Sequence, residues 1–105
     1  MNHRTEVALA SVAAERDRQD ARKAEGRFLF TCADEGLSLA EKCTILGEEY
    51  GEVAREALTN SKRRLARDTE GTDASLYKEL AQVAAVAVAW MESLMVDGAT
   101  KEEAP

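Results

Sequence analysis

Apolar residues recur at helical spacing in three stretches of the chain, separated by polar segments. The first stretch runs from about Thr5 to Lys23, with small apolar residues on one side before a strongly charged continuation, and Gly26 is the stop signal after it. Another runs from about Ala74 to Val96 and is apolar on every side through its middle, VAAVAVAW. A helix with that pattern must be surrounded by other elements.

Between these two lies a helix with a clear start signal. Ser38 is followed three residues later by Glu41, which is the spacing of a capping box. We expect this helix to end near Asn60 and Ser61, and the basic tract SKRRLAR, residues 61–67, to be a solvated loop. Apolar residues recur along it at steps of three or four and form one stripe: Leu39, Cys43, Leu46, Tyr50, Val53 and Ala57.

The composition also favours helices. The chain has 105 residues, one proline and six glycines, and its aromatic content is 5%. We expect an all-α fold with three main helices in a single domain over residues 1–96, and a disordered tail over 97–105. Either Thr72 or Asp73 is expected to cap the third helix. Two helices cover only part of the apolar third helix, so we expect an oligomeric bundle, either a homodimer or a dimer of dimers.

Charge and hydropathy exclude several classes of partner. A net charge of -6 repels phosphate backbones, and no nucleic-acid polymer is expected as a partner. The apolar run of the third helix is interrupted by Glu92 and is shorter than the ~20 apolar residues that cross a bilayer, which indicates a buried core helix. The N-terminus has no export signal, and Cys32 and Cys43 are expected to be reduced thiols, so we expect a cytoplasmic protein.

The second helix also carries a cluster of carboxylates within an arc of roughly 100°. Like charges at these spacings destabilise a helix by a few tenths of a kcal/mol unless a cation offsets them. Mg²⁺ prefers carboxylate oxygens and leaves coordination positions for water and phosphates. The spacing alone leaves two interpretations open, a metal site or a solvated acidic face relieved by Lys42 and Arg55. The cluster consists of Glu48, Glu49, Glu52 and Glu56.

Two polar residues of the third helix, Glu79 and Gln82, stand immediately before the apolar segment and can face the second helix. The stretches KCTILGEEYGEVAREAL and LYKELAQVAAVAVAWMESL then resemble the MazG-like branch of the all-α nucleoside triphosphate pyrophosphohydrolases, especially small phage and bacterial members. The family's pattern is EExxE on one helix and ExxD on the next. The segments AAERDRQDARK and FTCADEGLS also resemble this branch, so the resemblance covers most of residues 6–96.

The resemblance implies roles for individual residues. Glu49, Glu52 and Glu79 would be metal ligands, and Glu48 would be a ligand or the catalytic group that orients the attacking water. Gln82 takes the position of the family's Asp. Its amide oxygen can coordinate Mg²⁺, but it carries no charge and cannot act as a base.

The resemblance further implies a reaction. A nucleoside or deoxynucleoside triphosphate would be hydrolysed to the monophosphate and pyrophosphate with Mg²⁺, or Mn²⁺ in its place, as the cofactor. Lys42, Arg18 and Lys23 are the candidates for binding the phosphates. Gln82 motivates an alternative, a non-catalytic helical oligomer that binds nucleotides or a partner protein.

Overall fold

The computed structural model describes residues 1–65 and 72–95, and these residues form three helices. They are α1 (His3–Ala24), α2 (Leu39–Leu65) and α3 (Thr72–Ser93). Within these two ranges there is no strand, and the all-α prediction is confirmed. The predicted tail and most of the predicted linker lie outside the described residues.

The predicted end of the second helix is wrong. α2 continues through Asn60 and Ser61 to Leu65, where the sequence pattern predicted a solvated loop. Lys, Arg and Leu have favourable helix propensities, and basic residues near the C-terminus of a helix interact favourably with its dipole. Together these preferences outweigh the small cost of Asn60 in the helix. The third helix ends at Ser93, short of the predicted Val96.

Side-chain caps define the beginnings of α1 and α2. The backbone N–H of Ser38 donates to Oε1 of Glu41 at 2.9 Å, and the backbone N–H of Glu41 donates to Oγ of Ser38 at 3.1 Å, which confirms the capping box. In α1, Oδ1 of Asn2 accepts a hydrogen bond from the backbone N–H of Thr5 at 2.8 Å. This cap starts α1 before the predicted position.

The end of α1 is a Schellman motif that directs the chain towards α2. Gly26 has φ +79°, a left-handed conformation that glycine adopts without strain. Its N–H donates to the carbonyl of Lys23 at 3.0 Å, and the N–H of Arg27 donates to the carbonyl of Arg22 at 2.8 Å. The reversal brings Phe28 back to α1, where the guanidinium of Arg22 lies 5.7 Å from its ring centre.

α3 is the central helix, as its apolar composition predicted. It packs against both α1 and α2, and in the described part of the chain α1 and α2 do not pack against each other. The apolar stripe of α2 does not as a whole face α3, since Leu39 is 66% exposed and Tyr50 is 65% exposed. Leu46 of the stripe and its neighbour Ile45 are the α2 residues that pack near the core. The buried apolar residues are Cys32, Ala81, Ala85, Val86 and Ala89.

An ion pair between the buried Arg16 and the partly exposed Glu92 joins α1 to α3. Nε and Nη2 of Arg16 each donate to a different carboxylate oxygen of Glu92 at 2.9 Å, and Nη1 of Arg16 donates to Asp20 at 2.6 Å. This bidentate contact fixes the relative orientation of the two helices as well as the distance between them.

Among the described helices, none has both the length and the hydropathy needed to cross a membrane.

Candidate metal centre and adjoining cleft

Three carboxylates from two helices converge where α2 packs against α3. Glu49 and Glu52 are three residues apart on α2, so they lie on one side of that helix, and Glu79 comes from the facing part of α3. One oxygen from each of the three carboxylates lies within 4.8 Å of the others. We call this group the carboxylate triad. Its oxygen atoms and its spacing suit a hard divalent cation.

Burial makes the carboxylate triad costly without a cation. Oε2 of Glu49 and Oε2 of Glu79 are both buried and have no hydrogen-bond partner. Burial raises the pKa of Glu49, and the charges of Glu52 and Glu79 raise it further. Burial also raises the pKa of Glu79, as does the neighbouring Glu52 carboxyl group. Each carboxyl therefore resists ionisation, and a bound cation would supply the missing partner.

The other two predicted residues of the centre lie beside the triad. Glu48 is exposed, and Gln82 is half-buried on α3. Both line the same cleft as Glu49. The structure thus brings all five predicted metal-site and catalytic residues to one region, with the carboxylate triad at the helix contact and Glu48 and Gln82 on the cleft.

The cleft beside the triad has a volume of about 390 Å³. It is bounded by all three helices and by the segment between α1 and α2. Its walls combine cationic, aromatic and acidic side chains, a mixture that suits a ligand with an anionic part and a flat apolar part. The residues that line it are Glu15, Arg18, Gln19, Arg22, Phe28, Phe30, Thr31, Cys32, Ile45, Glu48, Glu49, Gln82 and Val86.

No protein-family model, curated protein or solved structure matches this chain.

Of the three predicted phosphate-binding cations, Arg18 lines the cleft and the two lysines lie elsewhere. Lys42 is only 3% exposed, and its Nζ donates to Oγ of Ser93 at 2.7 Å. Lys23 pairs with Asp34, and this hydrogen bond holds the pKa of the Asp34 carboxyl below its usual value. Lys42 therefore lies in the contact between α2 and α3, Lys23 forms an exposed ion pair with the segment between α1 and α2, and phosphate binding by either lysine stays a prediction.

Two charged residues of the cleft were missed by the sequence analysis. Glu15 and Arg22 are both on α1, and with Arg18 and Gln19 they line one wall of the cleft. Their positions, i, i+3, i+4 and i+7, are the spacing of one helix face. That spacing was visible in the sequence. The missing information was that this polar face lines the same cleft as Glu48 and Glu49 of α2.

The triad gives the metal-free protein a distinctive dependence on pH. Below the ordinary pKa of 4.5, Glu49 is protonated in the folded and the unfolded protein and costs no stability. As the pH rises above that value the unfolded chain ionises first, so the folded state loses stability until the pH passes its raised pKa. Glu49→Gln removes this loss. We expect the variant to have no gain in stability over the wild type below pH 4.5, and its gain to grow as the pH rises and to level off on the order of 1 kcal/mol.

Urea unfolding in the presence of EDTA measures this difference at each pH. The matched control is Glu35→Gln, which changes an exposed residue outside the triad and should follow the wild type. If the free energy of unfolding depends on pH in the same way for the wild type and Glu49→Gln, the Glu49 carboxylate does not destabilise the metal-free fold and the assignment is wrong.

Proposed function

We propose that the protein is a Mg²⁺-dependent nucleoside triphosphate pyrophosphohydrolase, which converts a nucleoside or deoxynucleoside triphosphate to the monophosphate and pyrophosphate. One observation carries the proposal. The carboxylate triad has two buried oxygens without partners, and it adjoins a cleft whose walls bear arginines and phenylalanines. A solvated acidic face would not bury such oxygens, because water would then be their partner.

The residues present fit a divalent cation. Glu49, Glu52 and Glu79 would hold Mg²⁺, or Mn²⁺ in its place, through carboxylate oxygens. When bound, the ion supplies charge neutralisation for the phosphates and lowers the pKa of a bound water. The two buried oxygens without partners are the atoms that such an ion would satisfy.

The chain's own side chains would bind and orient the substrate. Arg18 and Arg22 line the cleft and carry the planar guanidinium groups that pair with phosphate oxygens. Phe28 and Phe30 are partly exposed on the cleft and offer ring faces to a nucleobase. A nucleoside triphosphate has both chemistries in one molecule.

Glu48 is our candidate for orienting the water. Its exposed carboxylate lines the cleft next to Glu49, so it can accept a hydrogen bond from a water molecule that attacks the α phosphorus. The water oxygen forms a bond to that phosphorus, and the bond from the phosphorus to the oxygen shared with the β phosphate breaks. Pyrophosphate leaves with the electron pair, the proton that the water loses passes through the Glu48 carboxylate to solvent, and the nucleoside monophosphate retains the new oxygen.

We also propose that the protein works as a homo-oligomer. None of the large side chains among the described residues is fully buried, and α2 leaves Leu39, Tyr50 and Leu58 more than half exposed. Covering this stripe with a second copy would remove apolar surface from water. Light scattering coupled to size-exclusion chromatography measures the mass directly, and a monomer at micromolar concentration would contradict the proposal.

The alternative is a protein that binds nucleotides without hydrolysing them, and Gln82 favours it. The amide lines the cleft beside Glu49 without adding negative charge to the metal site. Lower charge weakens attraction for a divalent cation and leaves this position without a base.

Incubation with individual nucleoside and deoxynucleoside triphosphates and Mg²⁺ tests the proposal. We expect the monophosphate and pyrophosphate in equal amounts, measured by anion-exchange chromatography. A diphosphate with orthophosphate as products would contradict attack at the α phosphorus. Binding of a non-hydrolysable analogue in calorimetry, with no turnover of any triphosphate, would favour the alternative.

A further inference from the structure

Glu15 is a buried carboxylate that the proposed reaction leaves without a role. It is only 9% exposed on α1, a degree of burial that charged residues rarely reach unless they are paired. Its partner is Arg18, one turn further along the same helix, whose side chain is 44% exposed. The ion pair thus joins a buried anion to a cation that still reaches solvent.

Both members of this pair face the candidate centre. Glu15 and Arg18 line the cleft together with Glu49. The charge of Glu15 is one of those that raise the pKa of Glu49, so its carboxylate lies within electrostatic reach of the triad. α1 therefore contributes a carboxylate to a region where α2 and α3 already supply three.

A triphosphate entering the cleft competes with Glu15 for the same guanidinium. Phosphate oxygens and carboxylates both accept paired hydrogen bonds from arginine, and a triphosphate carries more negative charge. The Arg18 side chain is partly exposed and can therefore reorient to bind the phosphates. Glu15 is buried and cannot turn to solvent, and an unpaired buried carboxylate is costly.

We propose that Glu15 and Arg18 form an exchangeable ion pair, in which the triphosphate takes over Arg18 and the released Glu15 carboxylate faces the divalent cation that arrives with it. This inference deepens the proposed function and depends on its substrate class. Its consequence is selectivity for the metal-bound nucleotide. Without a cation the exchange leaves Glu15 unpaired, and with one it adds a fourth carboxylate to the site.

The exchange gives Glu15→Gln two effects of opposite sign. Gln has no charge to hold Arg18 or to repel phosphate, so the metal-free triphosphate should bind more tightly. It also has no charge to offer the cation, so the metal-bound triphosphate should bind more weakly. We expect the ratio of the two affinities to fall by about tenfold relative to the wild type. A residue that only held the fold together would weaken both.

Calorimetry with an α,β-methylene nucleoside triphosphate, in EDTA and in Mg²⁺, measures both affinities without turnover. Glu15→Asp keeps the charge and should restore part of the ratio, and Glu6→Gln, on the exposed first turn of α1, should leave it unchanged. An unchanged ratio in Glu15→Gln would overturn the proposal even if the wild type hydrolyses triphosphates. If the wild type hydrolyses no triphosphate but the affinity ratio still falls in Glu15→Gln, the exchangeable ion pair is supported and the proposed hydrolysis is not.

A second variant tests the exchange without nucleotide. Arg18→Gln releases Glu15 permanently, so Mn²⁺ alone should bind several-fold more tightly than to the wild type. Electron paramagnetic resonance of free Mn²⁺ measures this affinity. Mn²⁺ binding to Arg18→Gln that is weaker than or equal to that of the wild type would overturn the proposal. The proposal also fails if the wild type binds the α,β-methylene triphosphate neither in EDTA nor in Mg²⁺.

Discussion

Replacing Glu49 by Gln is expected to lower kcat/KM for Mg²⁺-dependent pyrophosphate release by on the order of 10³-fold. Glu49 holds the central position in the candidate site, since it belongs to the carboxylate triad and also lines the cleft. Gln keeps the size of the side chain and removes the charge that attracts the cation. Initial rates of pyrophosphate release across a range of triphosphate and Mg²⁺ concentrations measure the effect.

Measuring the stability of Glu49→Gln tests whether its loss of activity comes from misfolding. Because the buried Glu49 carboxylate destabilises the metal-free fold, Glu49→Gln should unfold at higher urea concentration at neutral pH while losing activity. Loss of both would indicate misfolding. Glu35→Gln should keep the wild-type rate, and a Glu49→Gln rate within tenfold of the wild type would refute the assigned metal site.

Gln82→Asp is expected to tighten Mg²⁺ and Mn²⁺ binding by about tenfold or more. Gln82 lines the cleft beside Glu49, so the substitution would place a further negative charge next to the triad. The same charge should lower the free energy of unfolding of the metal-free protein, because it adds repulsion among buried carboxylates. Calorimetric titration with each metal, paired with urea unfolding in EDTA, measures the two effects.

The matched control for this variant is Gln82→Asn, which has the size of Asp and no charge. It should leave the metal-free stability near that of the wild type and should not tighten metal binding. If Gln82→Asp binds Mg²⁺ no better than Gln82→Asn does, Gln82 is not at the metal position and its placement by resemblance is wrong.

Local sequence signals determined where α1 ends and where α2 begins. The capping box at Ser38 and the glycine stop at Gly26 depend on backbone groups a few residues away, so the sequence contains all the information they need. The end of α2 was wrong because Asn60 and Ser61 are weak signals, and the helix propensity of the following Lys, Arg and Leu residues decided the outcome. A weak helix-ending signal is overridden when the residues after it have high helix propensity.

The position of a side chain across helices was harder to predict. The apolar stripe of α2 has good helical spacing, yet Leu39 and Tyr50 are exposed in the single chain while Leu46 of the same stripe packs near the core. Lys42 was predicted from the sequence to bind phosphate, but its ammonium is buried and donates to a hydroxyl of α3. Periodicity locates a face of a helix and does not identify what the face contacts.

The sequence by itself determined the helical class, the central place of α3, and the carboxylates that α2 and α3 would bring together, because propensity, capping and residue spacing act within a helix. Only the tertiary structure decided which charges are buried and which share the cleft. Glu15 and Arg22 line the cleft, whereas Lys42 contacts Ser93 and Lys23 pairs with Asp34, because contacts between elements depend on how separate segments pack.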